Sequence, residues 1–201
     1  YWHGFDRLLK GLANYYIHSP QYKVYFHIIG DFFSPREREE YMSIIKENHL
    51  APYVILHGRQ AGQMLDLLFE LCDFGIGSLG RHRSGITNIK TLKNREYAAR
   101  GIPFIYSEID EDFENMPYIM KIPANEEAVD IKQILNFYNQ LHITPLEIRN
   151  SIRHLSWNNQ MKKVLDEMQK KDKINPNNNN IANFATLYTN KFIPNKERMN
   201  Y

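Results

Sequence analysis

Residues 91–108 read TLKNREYAARGIPFIYSE. Lys93, Arg95 and Glu96 fall in the first turns of a helical stretch that stops at Gly101-Ile-Pro and runs straight into an apolar strand. A helix that only covers a sheet needs an apolar stripe and has no use for a carboxylate near its start. Such a carboxylate can accept two hydrogen bonds from a sugar diol, as the acidic residue of a dinucleotide site does for ribose. A solvated glutamate favoured by the helix dipole is the competing reading of Glu96. Upstream, GSLGRHRSGITNIK (77–90) sets Gly77, Gly80 and Gly85 with Arg81, His82 and Arg83 between a strand and a helix. Glycines let backbone amides approach an anion, and guanidinium forks match phosphate oxygens. No G-K-[ST] follows, so this is not a P-loop, and a basic surface loop has the same composition. His3 and Gly4 open the first helical stretch, where the imidazole can donate to a phosphate or simply pack. His57, Gly58 and Arg59 follow a strand and can line a base pocket through their backbone, or form an ordinary turn.

The elements that must position these residues alternate along the chain. FDRLLKGLANYYI has Phe5, Leu8, Leu9 and Leu12 at helical spacing. KVYFHIIGD (23–31) reads as a strand and turn, and 34–50 as a helix with Ser34 as N-cap and Pro35 at its first position. Strands are predicted at 53–58, 73–79, 102–107 and 118–123, with helices at 61–72, 91–100 and 128–141. Residues 145–171 read as one long helix or two joined near Ser156-Trp157. This order predicts an α/β fold: a Rossmann-like, doubly wound and mostly parallel sheet with helices on both faces. Ligands of such sheets bind beyond the carboxyl ends of the strands, which singles out the loops at 30–33, 57–60, 79–90 and 107–113. The domain is expected over 1–171, followed by an Asn-rich tail at 172–201.

Composition narrows the classes. The chain has 201 residues, 43% hydrophobic and 24% charged, with 25 Lys+Arg against 23 Asp+Glu. Near-neutrality argues against a nucleic-acid binder. The single cysteine, Cys72, lies in the apolar run DLLFELCDFGIG; it reads as a core thiol, and a reducing cytoplasm fits. No run approaches the roughly 20 apolar residues of a membrane span. The opening YWHGFDRLLKGL reads as the start of a piece cut from a longer protein. No His/Cys/Asp/Glu cluster has metal-ligand spacing, no G-x-S-x-G elbow occurs, and no G-x-G-x-x-G follows a strand. No cofactor or metal is therefore expected, and no residue is singled out as catalytic.

Three segments carry a family resemblance. WHGFDRLLKGL resembles the w-K-G-x-x-x-L-I-x-A opening of the nucleotide-binding domain of retaining, group-1-type GT-B glycosyltransferases. LKNREYAARGIPFIYS resembles their L-K-x-x-E-Y-m-A-x-G-x-P-v-I, and LSWNNQMKKVL their final tryptophan helix. The resemblance implies half of a two-domain fold, whose C-terminal half binds a nucleotide-activated sugar. It implies a ribose contact at Glu96, base contacts at His57, Gly58 and Arg59, and phosphate or sugar contacts at Ser84, Gly85 and Ile86. His3, Gly4, Arg81, His82, Arg83 and Lys93 join the phosphate and sugar group.

The chain departs from that family pattern twice. Asn88 stands where the family commonly has a sugar-contacting Glu, and His3 stands where it has Lys. The phosphate load then shifts toward Arg81 and Arg83, and the sugar contact is either lost or made by another group such as His82. The implied activity is transfer of a sugar from a nucleoside-diphosphate sugar to an acceptor hydroxyl with retention, in bacterial surface polysaccharide synthesis. The acceptor, a saccharide or lipid-linked saccharide, would bind an N-terminal domain absent from this sequence. The chain alone is then expected to bind nucleotide without transferring sugar. The expected location is the cytoplasm, or the inner membrane face through the missing part. A nucleotide-sugar epimerase of the same two-domain plan, and a non-catalytic flavodoxin-like module, are the alternatives.

Overall fold

In the computed structural model, which describes residues 2–174, α and β elements alternate. The order is α1 (Phe5–Tyr16), β1 (Phe26–Ile29), α2 (Pro35–Glu47), β2 (Val54–Gly58), α3 (Gly62–Glu70), β3 (Gly75–Ile76), α4 (Leu92–Arg100), β4 (Phe104–Tyr106), β5 (Ile119–Lys121), α5 (Ile131–Asn139), α6 (Pro145–Ser151) and α7 (Trp157–Ile174). Short 3-10 turns cover Arg81–Ser84 and Arg153–Leu155. Residues up to Ser151 form one compact unit, and those from Ile152 onward belong to a second. The Asn-rich stretch beyond Ile174 lies outside the described residues.

Every pairing between named strands is parallel. β1 pairs with β2, with Phe26 opposite Val54 and Ile28 opposite Leu56, and β4 lies between β3 and β5. One apolar cluster joins the two ladders: Phe26, Ile28, Val54 and Ile105 from the strands meet Leu8, Leu9 and Leu12 of α1, Tyr41 and Ile45 of α2, and Ile131 and Ile134 of α5. On the other side Tyr97 of α4 packs edge-on against Phe69 of α3 and tilts over Phe104 of β4. This is the Rossmann-like α/β arrangement that the alternation of elements implies, with helices flanking the parallel strands.

Local chemistry explains the element ends. Ser34 Oγ accepts from Glu37 N at 3.1 Å, and Pro35 occupies the first position of α2. Thr91 Oγ1 accepts from Asn94 N at 3.2 Å to start α4. Thr144 and Glu147 form a reciprocal capping box on α6. The strand expected from residue 23 begins only at Phe26 because the Tyr16 hydroxyl bonds both Val24 N and Val24 O, each at 2.8 Å, where a neighbouring strand would. Of the two readings of 145–171 the second holds: α6 ends at Ser151 and α7 starts at Trp157, with the Arg153–Leu155 turn between them.

Candidate functional site

The segment before α1 docks on the loop that follows β3. Gly4 takes φ +66°, and a Cβ there would stand 2.6 Å from the Leu79 carbonyl carbon and 2.7 Å from Gly80 N. Both the backbone angle and the close approach therefore require glycine. Leu79 N donates to His3 O at 2.9 Å. Below the junction the guanidinium of Arg7, 2% exposed, ties three chain segments together. Nε donates to Glu127 O at 2.8 Å, Nη1 to Leu79 O at 2.7 Å, and Nη2 to Pro123 O at 3.0 Å and Asn125 Oδ1 at 2.9 Å. This clamp fixes where His3 and the 79–84 loop meet, at the carboxyl end of β3.

Three basic side chains converge there. Lys93, in the first turn of α4, brings Nζ to 3.4 Å from His3 Nδ1 and lies 5.1 Å over the Phe5 ring. His3 stacks on the same ring at 5.4 Å. The Arg81 guanidinium lies 4.9 Å over Trp2, and its Nε is buried without a hydrogen-bond partner. Burial, reinforced by Arg81, draws the Lys93 ammonium down to about 8, against a partial restoring pull from Glu108. Burial, then Lys93 and Arg81, draws His3 down to about 4. Near neutral pH His3 is thus an uncharged acceptor for the Lys93 ammonium, while Arg81 keeps its charge.

The nearby carboxylates are engaged elsewhere. Glu108, buried just beyond β4, accepts from Arg81 N at 3.3 Å through Oε1, and burial pushes its carboxyl above the ordinary range. Glu37 accepts from Phe33 N at 2.8 Å and from the Tyr41 hydroxyl at 3.4 Å. Among the described residues neither the Arg81 guanidinium nor the Lys93 ammonium forms an ion pair with a carboxylate. Buried cations without counter-charge are costly, and the arrangement suits an anion.

The rest of the loop is held differently. Arg83 is bidentate to Asp6, with both bonds at 2.9 Å, and also grips Glu126, with Nη2 at 2.6 Å from Oε2. The same Glu126 takes His82 Nε2 at 2.6 Å, and the Arg83 and His82 contacts hold its carboxyl down at about 2. His82 and Arg83 thus bind the 81–84 turn to α1 and to the 123–127 loop. Gly85 N and Ile86 N close the turn onto its own carbonyls, to His82 O at 2.9 Å and Arg81 O at 3.2 Å. Ser84 is exposed beside them.

Glu96 lies in the second turn of α4, one turn on from Lys93 along one helix flank. It is exposed and accepts from Arg100, which also pairs with Asp66 of α3 at 2.7 Å. At the end of β2, His57 Nε2 is 2.9 Å from His27 Nδ1 of β1, and the two rings stack. Gly58 takes φ +64° with open space around its α-carbon, and Arg59 pairs with Asp31 at 3.1 Å. The 57–60 turn and the Asp31 turn thus adjoin at the carboxyl ends of β1 and β2. The sequence had flagged both loops, and also the 107–113 loop that holds Glu108, but not the link between the first two, nor Trp2, Arg7 or Glu108 as individual residues. The position of Glu108 directly after a strand was the available signal for it. Among the described residues no group of three or more His, Cys, Asp or Glu is placed to hold a metal ion, and no helix is long and apolar enough to cross a membrane. Cys72 is half-buried with Sγ 3.2 Å from Leu68 O, and burial pushes its thiol up.

No protein-family model matches the chain, and no curated protein matches it significantly. Among solved structures it is similar to Anabaena Alr3699/HepE, crystallised in complex with UDP, with a TM-score of 0.59 and 18% identity over 83% of this chain. The match spans 46% of the Anabaena chain. That likeness bears on the fold and agrees with a Rossmann-like domain.

Proposed function

We propose that this chain is the nucleotide-sugar-binding domain of a GT-B glycosyltransferase, and that its His3–Arg81–Lys93 pocket holds the diphosphate of the donor. The observation that carries this reading is the uncompensated charge: a guanidinium with a buried, unpartnered Nε and an ammonium without a carboxylate, together beyond the carboxyl end of β3. The likeness to a protein crystallised with UDP supports it. So does the match of LKNREYAARGIP to the family's ribose-binding helix, with Glu96 on the same flank as Lys93.

In this reading the reaction moves a hexose or related sugar to an acceptor hydroxyl with retained configuration, in polysaccharide synthesis. The protein's contribution on this side of the cleft is to hold the leaving diphosphate. Arg81 supplies a permanent charge, Lys93 a second, and His3 a neutral ring that orients the Lys93 ammonium. Charge developing on the leaving oxygen is then met by preorganised donors. Arg83 and His82, engaged with Asp6 and Glu126, shape the turn that presents Arg81. Glu96 would release Arg100 to receive the ribose diol, and the 57–60 turn would take the base.

Calorimetry with UDP, GDP and the bare nucleosides tests this. The chain should bind a nucleoside diphosphate with a dissociation constant from high micromolar to millimolar, about −4 to −5.5 kcal/mol. Arg81→Ala should weaken the diphosphate by about 1.5–3 kcal/mol, the scale of a charged hydrogen bond, and leave the nucleoside unchanged. Equal losses for both ligands, or an unchanged diphosphate affinity, would remove the pocket from the site.

A further inference from the structure

Lys93 is the ionisable group in the pocket whose surroundings a bound anion would change most. Its nitrogen touches an imidazole nitrogen at 3.4 Å and an aromatic face at 5.1 Å, and no carboxylate oxygen bonds to it. The charged and titratable groups facing it come from each neighbouring element. His3 approaches from the segment before α1, Arg81 from the turn after β3, and Glu108 from the end of β4. His3 in turn faces Arg81 and, from α2, Glu37. Glu108 accepts from the Arg81 backbone and Glu37 from Phe33 N, so neither carboxylate is bonded to the ammonium.

We infer that this pocket takes up a proton together with its phosphate ligand, so that binding of a nucleoside diphosphate weakens as pH rises through the range just above neutral. The inference rests on the diphosphate reading above. In the free chain the ammonium stands beside another cation and loses its proton readily. With a diphosphate in place the same ammonium has its counter-ion, and its proton is held. The direction follows from linkage: the liganded state binds more protons than the free state, so lower pH favours the ligand. The phosphate of the ligand does not cause the trend, because its second ionisation lies near pH 6 and is complete above about 7.5, and the uracil imide of UDP, which ionises only towards the top of the interval, is common to every protein variant compared. With the free ammonium titrating at about 8, the protonated fraction at pH 9 is about one-tenth of that at pH 7. Affinity should fall on the order of tenfold across that interval.

Isothermal calorimetry with UDP, at pH 7 to 9 and in buffers of different ionisation enthalpy, reads this as the difference between the wild type and a variant that does not titrate. The wild-type chain should take up on the order of half a proton at pH 8, where the free ammonium is half charged. The K93R variant keeps a charge that does not titrate in this range. It should bind UDP with a flat pH profile and no proton uptake from this position. A flat profile for the wild type, or the same slope in K93R, overturns the inference and leaves the diphosphate reading standing. No UDP binding by either protein at any pH overturns both.

Discussion

Replacing Arg7 with Met tests whether the buried guanidinium organises the site loop. Arg7 lies one position before the apolar pair Leu8-Leu9 of α1 and is 2% exposed. Its loss leaves the acceptors Glu127 O, Leu79 O, Pro123 O and Asn125 Oδ1 without their donor. They are not equivalent. Pro123 and Glu127 are exposed residues, so water can replace the guanidinium there, whereas Leu79 is fully buried. A buried acceptor left unsatisfied costs about 1–3 kcal/mol, and each re-solvated contact less than 1 kcal/mol. Methionine recovers part of the packing and removes the burden of a buried charge. The net loss should be about 2–4 kcal/mol. Urea unfolding should register it as a lower midpoint with an unchanged m-value. Lys10→Met, which removes an exposed i,i+4 partner of Asp6, should stay within about 0.5 kcal/mol. A loss under about 1 kcal/mol for Arg7→Met would refute the clamp. So would full stability loss with normal UDP affinity in the surviving folded fraction, because the clamp is argued to hold Leu79 under His3.

Two further outcomes follow from the charges. Burial pushes the Asp6 carboxyl up, but the Arg83 fork and Lys10 pull it further down, to a net position below 3.8. A depressed carboxyl contributes stability that is complete above its unfolded value and is lost as pH falls through the folded one. The stability gap between wild type and Asp6→Asn should therefore be constant above about pH 5 and close below about pH 4 in acid denaturation; a constant gap down to pH 2 would exclude the pair. Folding lowers Lys93 too, from 10.5 to about 8, but in an ammonium a lowered value disfavours the charged form, so its charge costs stability that is recovered as pH rises. Lys93→Met should stabilise the ligand-free chain by about 1–3 kcal/mol below pH 8, with the gain gone by about pH 10.5. The same variant should weaken UDP, and a destabilised apo chain at pH 7 would contradict the uncompensated-charge argument.

The helix at 92–100 was legible because each of its boundaries has a local cause: Thr91 caps it, and Gly101 at φ +77° ends it before Ile102-Pro103. The parallel order of strands was legible from their alternation with helices. What local sequence could not supply was the partner of each charge. Arg81 and Arg83 are the same residue type, two positions apart in one loop, and no local rule separates them. Asp6 lies 77 residues from Arg83 and Glu126 lies 43 away, so the ion pairs exist only once α1 and the 123–127 loop have docked. The late start of β1 has the same origin, since a phenol from the preceding helix replaces ladder bonds at Val24. Arg7 was hidden for a related reason. A charged residue beside an apolar helical stripe normally snorkels to water, and here carbonyls from distant loops meet it instead.

The two arginines also explain how an uncompensated pocket can survive in a folded chain. An open site with several cations repels itself, and the cheapest relaxation is for the loop to swing its arginines toward solvent. Arg83 closes that route. Its planar fork is satisfied by Asp6 on one side and Glu126 on the other, so the 81–84 turn is held against α1. Arg81, within the same turn, is then carried over Trp2 with its Nε enclosed, whatever its own preference. The acids near the loop therefore stabilise the pocket by pairing with the arginine that does not face it. Had Asp6 or Glu126 faced Arg81 instead, the loop would be equally well anchored and the pocket would already hold its anion. The arrangement separates the anchored charges from the open ones within four residues, and in the proposed reading it leaves Arg81 and Lys93 as the charges a phosphate would complete.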